Sequence, residues 1–392
     1  MDAAAALIRY SVNATSGCTA IPRRNGRRGR FDTILVILMS TSVRVVAAAV
    51  GVAFLLHAAA SPLQRKKKNE RDFTQTLEAL PDPPAALAAE TARLSFVPAP
   101  LSTKGLLSQQ ARDAIRFLIN ASRGAQFIQI RAFVAGTGDL RRIQSLVSEL
   151  FAEKRLSLPV LSVVQVGALP LEGAQVQMEA VLQDRKPANP AGLVFAAASA
   201  TTPRAALEQL QATLHSAGAD PAPLRLTCAV SSSDWLQTAR EASSAVFPSA
   251  PLLVHQAQRI PAHTGASCTA VARLSAPIAS GVRFLPGAAA VSAPKLVFTG
   301  AQLAFRYQEA DARLAFQRLE RTLQSASSSL RRCVFLNVYP LSPQIAGLAA
   351  KVRAGFVNAE QPPAGATFPY EGLPALDAAF ALEAIALPNG GS

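Results

Sequence analysis

The sequence is poor in the residues and motifs that build metal, nucleotide and hydrolase centres. Among its 392 residues are four cysteines and four histidines. The cysteines form no CxxC pair and the histidines are scattered, so no metal site is predicted. His255 and His263 are interpreted as surface or hydrogen-bonded residues. No Gly-rich phosphate loop, GxSxG or HExxH motif occurs, and no cofactor is predicted.

Charge is scarce as well, and it is unevenly distributed. Charged residues make up 16% of the chain and apolar residues 50%, which predicts a mostly folded protein with room for two or three domains. The net charge is +14, but residues 1–71 hold 12 Lys and Arg against 3 Asp and Glu, which is +9 of that total. The remaining chain carries +5, so nucleic-acid binding by the folded part is not predicted.

Residues 1–71 are predicted to be a basic tail followed by a hydrophobic leader. The apolar run Val45–Ala60 ends in small residues of the kind that signal peptidases accept. If translation starts at Met39, the segment has the short basic start and apolar stretch of a signal peptide. This interpretation predicts an exported protein, periplasmic or secreted.

The alternative is an uncleaved membrane anchor, with membrane contact through residues 33–60. The basic cluster Arg65–Lys68 directly after the apolar run favours retention of that side in the cytoplasm. Residues 72–92 contain three prolines among Ala and Glu and are interpreted as a linker.

The remaining chain repeats one pattern of elements, β-α-β-α-β-β, three times. The three predicted units are 93–187, 188–276 and 293–388, with a linker at 277–292. The predicted helices cover about 107–120, 139–151, 203–216, 233–246, 309–325 and 342–356, and the first helix of each unit has an apolar stripe.

Two pairs of corresponding residues in the first and second units are separated by the same number of residues, which supports the repeat. Ile115 and Leu207 are 92 residues apart, and so are Pro159 and Pro251. A single offset between two independent landmarks favours duplication over the ordinary alternation of helices and strands.

Two of the units contain motifs that resemble the RidA (YjgF) family of enamine/imine deaminases. The motif residues are Pro159, Leu169-Pro170 and Met178–Val181 in the first unit, and Pro363, Leu373-Pro374 and Leu382–Ala386 in the third. The second unit matches more weakly. The family forms homotrimers of a small sheet covered by two helices, with ligand clefts between neighbouring subunits. The resemblance implies an α+β fold in which one chain supplies all three units, a monomeric pseudo-trimer.

The residues that carry the family's activity are not present at the matching positions. The arginine that binds the substrate carboxylate is replaced by Leu161, Leu253 and Gly365. The carboxylate that positions the hydrolytic water falls on Gln177, Cys268 and Ala381, two residues before Glu179, Ala270 and Glu383. Glu179 and Glu383 are interpreted as structural carboxylates. No catalytic residue is therefore assigned.

The resemblance leads to two functional hypotheses. The first is a catalytically degenerate RidA-like protein, a pseudoenzyme whose inter-unit clefts bind a small apolar or neutral metabolite or serve as a scaffold. The candidate cleft residues are Leu161, Gln177, Leu253, Cys268, Gly365 and Glu371. The alternative is a divergent deaminase, a hydrolase that releases ammonia and uses Glu371 beside Tyr370. A Cys228–Cys268 disulfide is geometrically conceivable in an exported chain, and the sequence leaves it open.

Overall fold

The computed structural model describes residues 79–136, 138–259 and 265–390, and its helices lie close to the predicted ones. The helices are α1 (Leu107–Ser122), α2 (Leu140–Glu153), α3 (Pro203–Ser216), α4 (Trp235–Val246), α5 (Glu309–Ser325) and α6 (Pro343–Arg353). Three helices begin with a side-chain cap, because Asp139, Thr202 and Ser342 each accept a hydrogen bond from a backbone N–H of the first turn.

Fifteen strands form three sheets in the described part of the chain. The strands are β1 (Ala86–Glu90), β2 (Leu94–Pro98), β3 (Gln126–Ala135), β4 (Val160–Val166), β5 (Val176–Gln183), β6 (Leu193–Ala200), β7 (Arg225–Val230), β8 (Leu252–Gln256), β9 (Ala266–Arg273), β10 (Val282–Leu285), β11 (Ala288–Val291), β12 (Lys295–Thr299), β13 (Gln302–Phe305), β14 (Cys333–Pro340) and β15 (Ala378–Ala386).

The first sheet has the strand order β2-β5-β3-β4. Strand β5 is antiparallel to both of its neighbours, whereas β3 and β4 are parallel and α2 connects them. The apolar stripes of α1 and α2 cover one face of this sheet in a core that includes Ile115, Leu118 and Phe151. The periodicity that predicts the helices therefore also determines which face they bury.

The second sheet contains the same order as β6-β9-β7-β8, and it is extended on the β6 side by the hairpin β10-β11. In the third sheet β15 lies between β12 and β14, and the segment 364–367 makes parallel bridges to β14. Gly365 allows this segment to approach closely, since a Cβ there would lie 1.9 Å from the Leu336 carbonyl oxygen.

Two segments interpreted as linkers contribute strands to these sheets. Strand β1, from the 72–92 segment, pairs with β12 of the third sheet, although it precedes the first sheet in the chain. The hairpin β10-β11, from the 277–292 segment, pairs with β6 of the second sheet. Both additions cover a sheet edge that would otherwise leave backbone groups unpaired.

The faces of the three sheets opposite the helices meet one another. Two buried apolar clusters contain residues from all three sheets: the first includes Phe96, Phe195 and Phe335, and the second includes Phe133 and Leu253 together with Tyr339 of the third sheet. Because each sheet buries both faces, its strands are apolar throughout rather than alternating. The site described below lies where these three faces meet.

No helix in the described part of the chain is long and apolar enough to cross a membrane. The leader, the basic tail and the 33–60 segment lie outside the described residues, and the predictions for them stay predictions.

Candidate functional site

A buried layer of polar side chains lies at the junction of the three sheets. Along β3, Arg131 sits between Ile128 of the first apolar cluster and Phe133 of the second. Its guanidinium forms an ion pair with Glu179 of β5 and lies 3.5 Å from Oε1 of Glu383 in the third sheet. It also donates a 3.3 Å hydrogen bond to Thr227 of the second sheet. One arginine thus connects all three sheets.

Glu383 on β15 is surrounded by donors from two sheets. Its Oε1 accepts hydrogen bonds from Tyr339 at 2.6 Å and from the amide of Asn337 at 2.9 Å, both on β14. Its Oε2 accepts from Ser162 on β4 of the first sheet and from Gln129 at 3.4 Å. Because both oxygens of Glu383 already accept hydrogen bonds from these side chains, they are not available to a ligand.

A second buried arginine belongs to the second sheet. Arg225 lies with a terminal nitrogen 3.5 Å from Glu179 and with its guanidinium carbon 5.3 Å from the centre of the Phe96 ring. Burial, together with the nearby Arg131 charge, lowers the pKa of Arg225 to about 10. For Arg131 burial also acts to lower the pKa, but Glu179, Tyr339 and Glu383 outweigh it and raise the pKa above its ordinary value. Two arginines and two glutamates therefore make a layer without net charge.

His255 on β8 is part of the same junction. Its ring stacks on Phe133 with centroids 4.4 Å apart, and its Nε2 lies 3.1 Å from the Tyr370 hydroxyl. Burial, and then the Arg131 charge, lowers the pKa of His255 to about 3. The imidazole is neutral at physiological pH and does not act as a cation toward an anionic ligand.

Three cavities at the boundaries between the sheets are lined by described residues. The cavity between the second and third sheets is about 20 Å³, and its lining includes Tyr339, Phe368 and Tyr370. The cavity between the third and first sheets is about 250 Å³. The cavity between the first and second sheets is about 620 Å³, and we call it the 1–2 cleft. The last two cavities have similar walls. Each is lined by a proline of a Leu-Pro pair, Pro374 or Pro170, and by the parallel edge strand of the next sheet.

Two of the predicted cleft residues border these cavities. Leu161 lines the cavity between the third and first sheets. Gln177 lines the 1–2 cleft; its side chain is 5% exposed, and its Oε1 has no hydrogen-bond partner among the described residues. Leu253 is fully buried in the second apolar cluster. Glu371 accepts a hydrogen bond from the Arg259 backbone N–H, which links the third sheet to the second.

Cys268 lies on the opposite face of its sheet, toward the helices. It forms a disulfide with Cys228, its direct partner across β7 and β9, within the core that α3 and α4 cover. The residues of β9 that border the cavity are its neighbours Ser267 and Thr269. Adjacent strand residues point to opposite faces, so an offset of one residue moves the matched position from the junction to the helix side.

Five residues of the junction were not predicted from the sequence: Arg131, Thr227, Asn337, Tyr339 and His255. The available signal was Arg131, a charged residue in the middle of the apolar run Phe127–Val134. A buried charge in such a run needs a partner. The partners lie on other sheets, and no local pattern identifies them.

The described residues bring no three His, Cys, Asp or Glu side chains together as metal ligands. The junction can stabilise the arrangement of the three sheets, and the 1–2 cleft can hold a small molecule against apolar walls and one carboxamide.

No family model and no curated protein matches the sequence. Parts of the chain are similar to solved structures. One is RidA from an Antarctic Psychrobacter bacterium, 21% identical over 23% of this chain and 79% of that one, with a TM-score of 0.22. Another is a YjgF-family protein from Neisseria meningitidis, 16% identical over 26% of this chain and 84% of that one, with a TM-score of 0.22. A third is a YjgF-family protein from Mycobacterium tuberculosis, 22% identical over 23% of this chain and 77% of that one, with a TM-score of 0.22.

Proposed function

We propose that the chain is a catalytically degenerate RidA-like protein in which three diverged units form a pseudo-trimer and the clefts between them bind small apolar or neutral molecules. The shared strand order β2-β5-β3-β4 and β6-β9-β7-β8 supports descent of the first two units from one ancestor, and the central β15 of the third sheet supports a third copy. The motif at Leu373-Pro374 adds support from the sequence. The proposed units keep the boundaries 93–187, 188–276 and 293–388.

The main observation that supports a loss of catalysis is that the buried arginine at the junction is already paired with carboxylates. Hydrolysis of an imino acid needs a cation that binds the substrate carboxylate and an acid or base that activates water. Arg131 is already paired with Glu179 and Glu383. The wall of the 1–2 cleft offers Gln177, a carboxamide that cannot act as a base, so the machinery for deamination is incomplete.

The alternative, a divergent deaminase, relies on Glu371. The assay that separates the two proposals measures ammonia release from 2-aminoacrylate by the full chain. We expect no rate above the uncatalysed background. A rate that Glu371→Gln abolishes and that Glu172→Gln, at an exposed position, leaves intact would replace our proposal with the deaminase.

We further propose that the chain matures in an oxidising compartment after removal of a leader that starts at Met39. The buried Cys228–Cys268 disulfide supports this proposal, because such bonds persist mainly in exported proteins. Sequencing of the N-terminus of the native protein should begin after Ala60, and a non-reduced digest should contain the linked peptides. A chain that keeps residues 33–60 would support the anchor instead.

A further inference from the structure

The three inter-sheet cavities differ in size, and this difference indicates where a ligand binds. A cavity of about 20 Å³ has room for one water molecule. A cavity of about 250 Å³ lies below the usual range of ligand pockets, whereas the 1–2 cleft, at about 620 Å³, lies well inside that range. We infer that the chain binds one molecule in the 1–2 cleft, and that this molecule is an uncharged, mostly apolar compound that donates a hydrogen bond to Gln177. The inference rests on the proposed function and narrows it to one cleft and one ligand class.

The walls of the 1–2 cleft are mainly apolar. They include the prolines Pro98 and Pro170 and the side chains of Leu252 and Val254. Phe117 and Leu171, which also border the cleft, are 41% and 40% exposed. Large apolar side chains that remain open to water at a concave site favour an apolar ligand that covers them.

Gln177 is the buried polar side chain in the wall of the 1–2 cleft. Its Oε1 is out of contact with solvent and has no hydrogen-bond partner among the described residues. A buried acceptor without a donor is unfavourable, so a ligand that supplies the donor gains affinity. The last torsion of a glutamine side chain is soft, so the carboxamide can turn toward the cleft at little cost.

The remaining polar residues of the cleft favour an uncharged ligand. Arg240 and Ser244 are on α4 and are exposed at its outer wall. An ion pair between a ligand carboxylate and an exposed arginine adds little affinity, because both charges remain hydrated. The buried part of the cleft offers no cation that would compensate for a desolvated carboxylate.

The other two cavities have specific obstructions. In the cavity between the second and third sheets, the rings of Tyr339 and Tyr370 pack edge to face with centroids 5.1 Å apart. In the cavity between the third and first sheets, Pro83 and Pro84 from the segment that leads into β1 form part of the wall. A symmetric trimer would bind three molecules, whereas this chain should bind one.

The test compares indole with benzofuran, a ring system of the same shape that lacks the N–H donor. Each is titrated into the full chain by isothermal calorimetry. We expect one site per chain and an affinity for indole about fivefold above that for benzofuran. Gln177→Met, which keeps the volume but removes the acceptor, should make the two affinities equal. Equal affinities in the unsubstituted chain, or a preference that survives Gln177→Met, would overturn the role of Gln177.

The location is tested with two tryptophan variants at matched positions. Ser244→Trp places an indole ring at the mouth of the 1–2 cleft and should abolish binding, whereas Gln302→Trp, in the cavity between the third and first sheets, should not change it. Three sites per chain, binding that survives Ser244→Trp, no binding of either probe, or tighter binding of indole-3-acetate than of indole would each overturn the inference. The ammonia assay is independent of these titrations, so a failure here leaves the loss of catalysis to be judged separately.

Discussion

Single buried charges determine what the junction of the three sheets can do. Arg131 is 3% exposed and contacts Glu179, Glu383 and Thr227, one group from each sheet. These partners compensate for the burial of the Arg131 charge. The same arrangement makes each member of the layer sensitive to the loss of its partner.

Replacement of Arg131 by methionine should therefore be strongly destabilising. Arg131→Met leaves Glu383 buried without its cation and Glu179 with Arg225 alone, and we expect the free energy of unfolding in urea to fall by about 3–5 kcal/mol. Arg112→Met, which breaks the partly exposed pair with Glu149, should cost less than about 1 kcal/mol. Similar losses for the two variants would show that the junction does not depend on this charge.

His255 should make the stability of the protein depend on pH. Its pKa is about 3 in the folded protein, below its ordinary value near 6.5, so the unfolded chain binds a proton that the folded chain does not between these values. The contribution of His255 to the free energy of unfolding is complete above about pH 6.5. It decreases by about 1.4 kcal/mol per pH unit as the pH falls toward 3.

The comparison variant is His255→Phe, which can stack on Phe133 in the same place but does not titrate. Denaturant unfolding at pH 7 and pH 5 measures the change in the free energy of unfolding. This free energy should decrease more for the unsubstituted chain than for the variant when the pH is lowered. Parallel decreases would mean that His255 does not cause the change in stability between pH 7 and pH 5.

At the scale of elements, the unexpected feature is strand β1. It lies next to the first sheet in sequence but pairs with β12 of the third sheet, from Ala86 opposite Thr299 to Glu90 opposite Lys295. The start of the described chain is thereby attached to its last sheet. Strand β1 also covers the edge of β12, which would otherwise be open to pairing with another chain.

Two adjacent alanines test this role of β1. Ala89 is buried in the first apolar cluster, and Ala88 is exposed. Ala89→Asp would bury an unpaired carboxylate and should release β1, which lowers the unfolding temperature and promotes association through the β12 edge. Ala88→Asp should leave both properties nearly unchanged. Thermal unfolding and light scattering at several concentrations compare the two variants. Equal unfolding temperatures and equal association would show that the pairing of β1 with β12 is not needed for stability or for protection of the β12 edge.

At the scale of the whole molecule, the inner faces of the three sheets cover one another. The two apolar clusters at the junction draw residues from every sheet. A tethered arrangement of this kind needs no second chain, because the partners are already at high effective concentration.

The expected solution state is accordingly one chain. Light scattering coupled to size-exclusion chromatography should give a mass at or below 41.1 kDa, depending on whether the leader is removed. The value should not change on dilution. A mass of three chains would contradict the proposed pseudo-trimer, since the inner faces would then be shared between chains.

The extent of sequence-based prediction differs between these scales. Helices α3 and α5 have the predicted bounds, and α1, α2, α4 and α6 differ at their ends by a few residues at most, since their apolar periodicity and caps are local. Of the candidate cleft residues, Gln177 and Leu161 border cavities. Cys268 lies on the helix side of its sheet, and its neighbours Ser267 and Thr269 border a cavity, since successive residues of a strand point to opposite faces.

The sequence by itself determined the six helices, most of the strands between them and the burial of both faces of those strands, because these depend on the composition and spacing of neighbouring residues. The tertiary structure alone decided that β1 pairs with β12, that Arg131 meets a carboxylate on each of two sheets, and that the 1–2 cleft is larger than the other two cavities. These outcomes depend on contacts between residues far apart in the chain, and on whether a tyrosine or a leucine from another sheet fills a given space.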